Sequence, residues 1–490
     1  MKSVIAASVF IWCIMLGCGP ALEATVAPQK TRLMVRTDSP RLLHRGVYGF
    51  NTNMMHGIYS YRDREIVEMV RALKPISLRF PGGTVGNFYH FEISGFRKQE
   101  LTGFTAKPGT WLLKDYERLQ EKYRGQLPFD DFMVLCRQFG IEPYVTLNLY
   151  TGSPLESAAW VKYANEKGYK VAGWELGNEL FLPFYRDRIK DVKGYIATAK
   201  KHAAAMRAVD PGVRVAVVAH DGSRDLRAEQ LGNRWNERLG REDFFDAFIL
   251  HPYVDLVKNG FVIGKNFEDA RSRLFEVSDA LMDRAINNRK YFAGKELWIT
   301  EWNIVFKNEM ELSDTLLHAL FCGDFFIRMV NTDFVANAAY HVLHGGWNGF
   351  PVVSTSDGVD IKRAAYYVFD LIKDAMSGSK NRYSVKVESG PVLKQSNSFA
   401  SGPVPGLTVT AVGQDKKIFL LFTNRTSTPV PAELTVDGAK YQGSITLKYI
   451  SAPDLQATGK DNKIRIMETK PDEAGNLMLP ANGFGLIELM

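Results

Sequence analysis

Cysteine is scarce in this chain, four in 490 residues, and two of the four, Cys13 and Cys18, lie in an N-terminal stretch that reads as a removable leader. Cys136 and Cys322 are too few for a disulfide framework, so stability has to come from packing. Each falls in amphipathic helical text, Phe129–Phe139 and Ser313–Met329, where a small buried hydrophobe is a better reading than a nucleophile or a ligand. Concentrated positive charge is missing too. The formal charge is +7, but no run of five Lys or Arg occurs, which argues against nucleic acid as a partner and leaves an acidic polysaccharide compatible. Beyond the N-terminus no apolar run nears the ~20 residues needed to span a bilayer.

Several catalytic signatures are absent. No Gly-x-Ser-x-Gly elbow supports serine esterase chemistry. Neither His-Glu-x-x-His nor a Cys/His zinc spacing occurs, and His344-Gly-Gly346 resembles a phosphate loop only superficially. His56, His90, His220, His341 and His344 follow strand-like text and read as scattered pocket histidines. No metal or cofactor is expected.

What is present begins with Lys2 ahead of an apolar run from Val4 to Leu16, then small residues: the pattern of a secretory signal over residues 1–24, with a mature chain from near Thr25. This predicts a secreted or periplasmic protein. Cys18 after Met15-Leu16-Gly17 is a degenerate lipoprotein site, so a lipid anchor through Cys18 is the alternative. With 46% hydrophobic and 23% charged residues, the remainder can bury a large core.

From residue 46 to 377, short β-rich runs alternate with helix-period stretches, the pattern of repeated βα units. The runs are Gly46–Asn51, Ile76–Phe80, Glu142–Asn148, Val171–Leu176, Arg214–Ala219, Ala247–His251, Leu297–Glu301 and Ala338–Leu343. Eight such units predict an α/β fold with a (β/α)8 TIM barrel. Asp63–Leu73, Ser157–Lys167 and Gly194–Val209 read as helices. Residues 91–126 are too long for a simple connection and are expected to fold over the barrel mouth. From 378 to 490 the text turns to alternating strands such as Leu407–Val412, Ile418–Thr423 and Gly485–Leu489, a smaller C-terminal β-sandwich. Residues 25–45 hold a further strand, Thr31–Arg36, expected to join it.

The chemistry concentrates in two carboxylates at strand ends, Glu179 in Trp174-Glu-Leu-Gly-Asn-Glu179 and Glu301 in Leu297-Trp-Ile-Thr-Glu-Trp-Asn303. Most glutamates are solvated surface charges. These two follow apolar text and are flanked by Asn and Trp, an odd place for an unused charge. They close the fourth and seventh strands, and all strand C-termini of a parallel barrel open onto one face. Two carboxylates facing each other across a sugar can divide the roles of acid and nucleophile in glycosidic cleavage. Arg79, in Leu78-Arg-Phe-Pro-Gly-Gly-Thr84, is placed to hold Glu301 ionised. Pro81-Gly82-Gly83 would let the backbone turn sharply beneath the sugar. Trp174, Tyr150, Trp302 and Trp347 offer flat faces to a sugar or belong to the core; Trp302 and Trp347 are the ones taken as candidates.

On these residues the chain resembles clan A of the retaining glycoside hydrolases over roughly 46–375, with families 51, 79 and 39 as the nearest types. The resemblance implies that Glu179 is the acid/base, Asn178 binds the sugar 2-hydroxyl, Glu301 is the nucleophile, and Tyr253, in His251-Pro-Tyr253, orients it. His251 lines the sugar site or is structural. Arg79–Thr84 with Asn87-Phe-Tyr-His-Phe91, and Glu301-Trp-Asn303, resemble the arabinofuranosidases of family 51. Trp174–Glu179 looks more like the β-glucuronidase and heparanase group, family 79, and Leu180-Phe-Leu-Pro-Phe184 departs from the Met-Asp-Gly continuation of arabinofuranosidases. The expected function is a carbohydrate-cleaving α-L-arabinofuranosidase-like enzyme. The alternatives are a β-glucuronidase- or heparanase-like or endo-acting hydrolase of an acidic matrix polysaccharide, a uronate lyase, and a non-catalytic carbohydrate-binding protein.

Overall fold

A computed structural model describes residues 30–54, 59–104, 107–220, 226–255, 267–305, 312–345, 350–393, 402–473 and 475–490. The leader with Cys13 and Cys18, His56 and Trp347 lie outside them. Eight parallel strands form the barrel: β1 (Gly49–Asn51), β2 (Ser77–Phe80), β3 (Glu142–Thr146), β4 (Gly173–Leu176), β5 (Val215–Val218), β6 (Ala247–Ile249), β7 (Glu296–Val305) and β8 (Val335–His341). Each pairs with the next, and β8 pairs back onto β1, so the sheet has no free edge.

Local chemistry sets the helices around it. Arg64–Leu73 buries Ile66, Met69, Val70 and Leu73, one stripe at helical spacing, and stops where Lys74 turns left-handed. Pro154–Glu166 starts on Pro154, with the Ser153 hydroxyl accepting from the Glu156 N–H. Asp191 caps Val192–Val209 in the same way, through the Gly194 N–H. Cys136 and Cys322 are both buried and free.

Trp298 of β7 projects into the narrow end of the barrel, packing with Tyr144, Ala216, Ala247 and Ile249. Room for the indole comes from Gly173 of β4, where a Cβ would run into its six-membered ring.

The C-terminal strands and Thr31–Leu42 form one ten-stranded sheet. Thr31–Leu42 runs antiparallel to Asn381–Glu388 and parallel to Val430–Val436. A single hydrogen-bonded path links nine of the strands, with Leu477–Leu479 pairing onto Val430–Val436 beside it, yet Leu33, Leu434, Leu420, Leu447 and Ile487, from both ends of that path, share one core. The sheet therefore curls over on itself to make the two layers of the sandwich.

The segment after β2 forms a short hairpin (Tyr89–His90 with Gly95–Phe96) and two helices, Lys98–Gly103 and Lys107–Tyr123. Phe104 packs on Tyr150, Phe184 and Tyr185, in the segments leaving β3 and β4. His90, fully buried, ties the hairpin down between Glu156 and Glu100. The insertion thus covers the C-terminal end of the barrel on that side.

Candidate active site

Strict alternation along β7 would turn Trp298, Thr300 and Trp302 inward and Glu301 outward. The register against β8 shifts between Ile299 and Trp302, and this irregularity re-aims the chain. Thr300 still faces the interior, its hydroxyl 3.0 Å from His251 Nε2. Glu301 then follows it inward, and Trp302 swings outward.

Glu301 is held at three sides. Arg79 Nη1 donates to Oε1 at 2.7 Å and the Tyr253 hydroxyl donates to Oε2 at 2.7 Å. His251 Nδ1 and His341 Nδ1 stand 3.9 and 3.8 Å from Oε2. Burial opposes ionisation, but the positive charge of His251, His341 and Arg79 and the Tyr253 hydroxyl outweigh it, holding this carboxyl well below the usual range. The same carboxylate and burial push the Tyr253 phenol up, so it stays a donor.

Glu179 leaves β4 through a tight turn. Gly177 has φ 88° and Glu179 itself φ 46°, a left-handed conformation that a non-glycine residue adopts at a cost. The turn is locked by Asn87, which accepts from the Asn178 N–H at 2.9 Å and donates to the Asn178 carbonyl at 2.7 Å. The Glu179 side chain is 18% exposed against 8% for Glu301, so Glu179 is the one nearer the open side. His251 Nδ1 lies 3.0 Å from its Oε1. Burial disfavours a charged His251, but Glu301 and Glu179 outweigh it and raise its pKa. A protonated ring then donates from both nitrogens, to Glu179 and to Thr300. Glu179, His251 and Glu301 each bring one ligand-type atom within 4.8 Å of the others, spacing that could hold a metal, although all three atoms already share protons with one another or with Arg79, Tyr253 and Thr300.

Arg79 is buried and divides its donors. Nε and Nη2 grip Glu175 of β4 at 2.7–3.0 Å, Nη2 also reaches Asn178 Oδ1 at 2.8 Å, and only Nη1 serves Glu301. Burial works against its charge, and Glu175 and Glu301 more than restore it. Pro81-Gly82-Gly83 makes the sharp turn expected: both glycines have positive φ, and a Cβ on Gly82 would strike Asn51. Backbone approaches the carboxylate closely here, since a Cβ on Gly83 would stand 3.6 Å from Glu301 Oε1.

Glu179, Glu301, Asn178, Arg79, Tyr253 and His251 are therefore brought to one place. Trp302 is not. It is 1% exposed and packs on Phe321, Phe325 and Tyr340, between β7 and helix Leu316–Val330, because the shift in β7 turns it out of the barrel. As a sugar platform it is corrected to a core residue. Trp174, against Trp160, is core as well. Tyr150 donates to Asp187. Sequence reasoning missed Glu175, which the alternation of β4 turns inward beside Glu179, and it placed His341, at the end of β8, only among scattered pocket histidines and not beside Glu301. It also missed Asn53, whose buried Oδ1 has no partner among the described residues.

No protein-family model matches the chain. Over 477 residues it is 28% identical to a protein of Aspergillus terreus named probable alpha-L-arabinofuranosidase C, covering 86% of this chain and 87% of that one. The solved family 51 arabinofuranosidase from Xanthomonas axonopodis pv. citri superposes with TM-score 0.72 at 16% identity, over 94% of this chain and 100% of its own. That of Thermotoga maritima, solved with arabinose, gives TM-score 0.69 at 21% identity with the same coverage. In sequence over most of its length and in fold, the chain is similar to glycoside hydrolases of clan A, of the family 51 type.

Proposed function

We propose that this protein releases α-L-arabinofuranosyl units from oligo- or polysaccharide with retention of configuration, as an exported enzyme whose leader is residues 1–24. The observation that carries the mechanism is the approach of Glu179 and Glu301, with carboxylate oxygens within 4.8 Å. Retaining enzymes hold their two carboxyl groups ~5–5.5 Å apart, whereas inverting ones leave ~6.5–9.5 Å for a water.

In the first step a Glu301 oxygen forms a bond to the anomeric carbon as the bond to the leaving oxygen breaks, and Glu179 gives that oxygen its proton. In the second, Glu179 takes a proton from water, the water oxygen bonds to the anomeric carbon, and Glu301 leaves as carboxylate. Ionised Glu301 suits the attacking role, and the more exposed Glu179 suits exchange with leaving group and water. Tyr253 and Arg79 aim the two oxygens of Glu301. Asn178, its Oδ1 fixed by Arg79, keeps its amide N–H groups for a sugar hydroxyl, and the unpartnered Asn53 Oδ1 is an acceptor for another.

The arabinofuranosyl assignment leans on the names of relatives that align over most of the chain. Two variants test the roles. Glu301→Ala should abolish turnover, with azide restoring release of an arabinosyl azide of inverted configuration. Glu179→Ala should lose about 10²–10⁴-fold on unactivated oligosaccharides and much less in the first step on nitrophenyl glycosides, whose leaving group needs no proton. Undiminished activity in either variant rejects its role. A wild-type enzyme that ignores nitrophenyl arabinofuranoside but cleaves the xyloside or glucuronide rejects the sugar.

A further inference from the structure

A second concavity opens at the same end of the barrel, between the segments that leave β4 and β5. Its volume is about 280 Å³, just below the ~300–1,000 Å³ of most small-molecule sites. Phe181, two residues beyond Glu179, lies against the ring of His220 at 4.3 Å between centroids, and Trp235 stands 6.2 Å from Phe181. Trp235 is fixed by its indole N–H to the Val218 carbonyl of β5 and by stacking on Tyr195. Asn236 holds the His220 backbone through both its N–H and its carbonyl. The aromatic floor is thus built before any ligand arrives.

The rim is cationic. Arg186, Lys190 and Arg234 line it, with Asp191 the one carboxylate among the described lining residues, its Oδ1 taken by the Gly194 N–H at the start of helix Val192–Val209. Leu180–Phe184, the text that departs from the arabinofuranosidase continuation, supplies part of the wall.

We infer that this concavity is the site for the leaving-group side of the substrate and that it selects an anionic sugar unit there. The placement rests on the proposed mechanism: the residue that protonates the leaving oxygen is Glu179, and the segment that follows it, through Phe181, Arg186 and Lys190, lines the concavity. The charge preference rests on the rim alone. Aromatic rings accept the apolar face of a pyranose, and three cations favour a carboxylate or sulfate over a neutral ring.

Three arabinofuranosyl oligosaccharides test this, alike except that the leaving-side sugar carries a carboxylate, a sulfate ester or neither. Wild-type enzyme should turn over an anionic substrate with kcat/KM about tenfold or more above the neutral one, a difference of roughly one decade or 1.4 kcal/mol that narrows with added salt. Which anion gains more identifies the source. In the triple variant Arg186→Gln, Lys190→Gln, Arg234→Gln the ratio should fall to near one, the neutral substrate serving as the reference for folding. Calorimetric binding of the same oligosaccharides without their arabinosyl unit gives a readout independent of the bond cleaved: tighter binding of an anionic one supports the site even if the arabinofuranosidase reading fails. Equal kcat/KM and equal binding for all three in the wild type overturn the inference, while continued turnover of nitrophenyl arabinofuranoside would leave the proposed reaction standing.

Discussion

Glu301 carries its charge at a place where burial alone would neutralise it. The compensation is spread over several groups, and the histidines matter because Arg79 is largely engaged by Glu175, with two of its nitrogens on that carboxylate. His341 Nδ1, 3.8 Å from Oε2, is one of those histidine charges. Removing it should let burial regain ground and raise the Glu301 pKa towards its ordinary value of 4.5. Since the nucleophile must be ionised, the acid limb of kcat/KM lies below that value in the wild type and should move to higher pH in His341→Gln, with the rate at neutral pH reduced less than at pH 5. A limb that stays in place would show that another group sets it. Identifying Glu301 needed only its strand and neighbours, Trp and Asn. Glu175 escaped because a partner 96 residues away neutralises it, and no local pattern marks that pairing.

At the scale of the element, the irregularity in β7 decides which side chains enter the site. Period-two alternation is what a sequence displays, and an extra residue inverts every face beyond it. That is why Glu301 was legible through its chemistry while Trp302, judged by adjacency to it, was not. The same strand imposes a packing demand below the shift, where Trp298 occupies space that Gly173 vacates. Gly173→Ala should destabilise the fold by about 1–3 kcal/mol, the usual cost of overpacking a filled core. Adding Trp298→Phe should recover part of that loss, so the pair should be non-additive in denaturant unfolding. Additive effects would mean that the two side chains do not share the barrel floor.

Across the whole molecule, barrel and sandwich are joined by a buried charge cluster. Arg425, at the end of strand Lys417–Asn424, reaches Asp279 of helix Phe267–Asn287 and Asp324 of helix Leu316–Val330, and its guanidinium lies over Phe275. Arg425→Ala leaves Asp324 buried without its cation and Asp279 with Arg328 alone, and breaking a buried pair typically costs about 3–5 kcal/mol. A loss under 1 kcal/mol in equilibrium unfolding would show the cluster to be solvated. The amino-acid sequence by itself determined the eight βα units, the sandwich with its early strand, and the two strand-end carboxylates, because hydrophobic period and turn chemistry are local and a parallel barrel brings every strand end to one face. Only the tertiary structure decided that Arg79 divides itself between Glu175 and Glu301, that Trp302 points outward, and that Arg186, Lys190 and Arg234 rim one concavity. Those outcomes depend on register shifts and on distances between residues far apart in the chain, which no periodicity encodes.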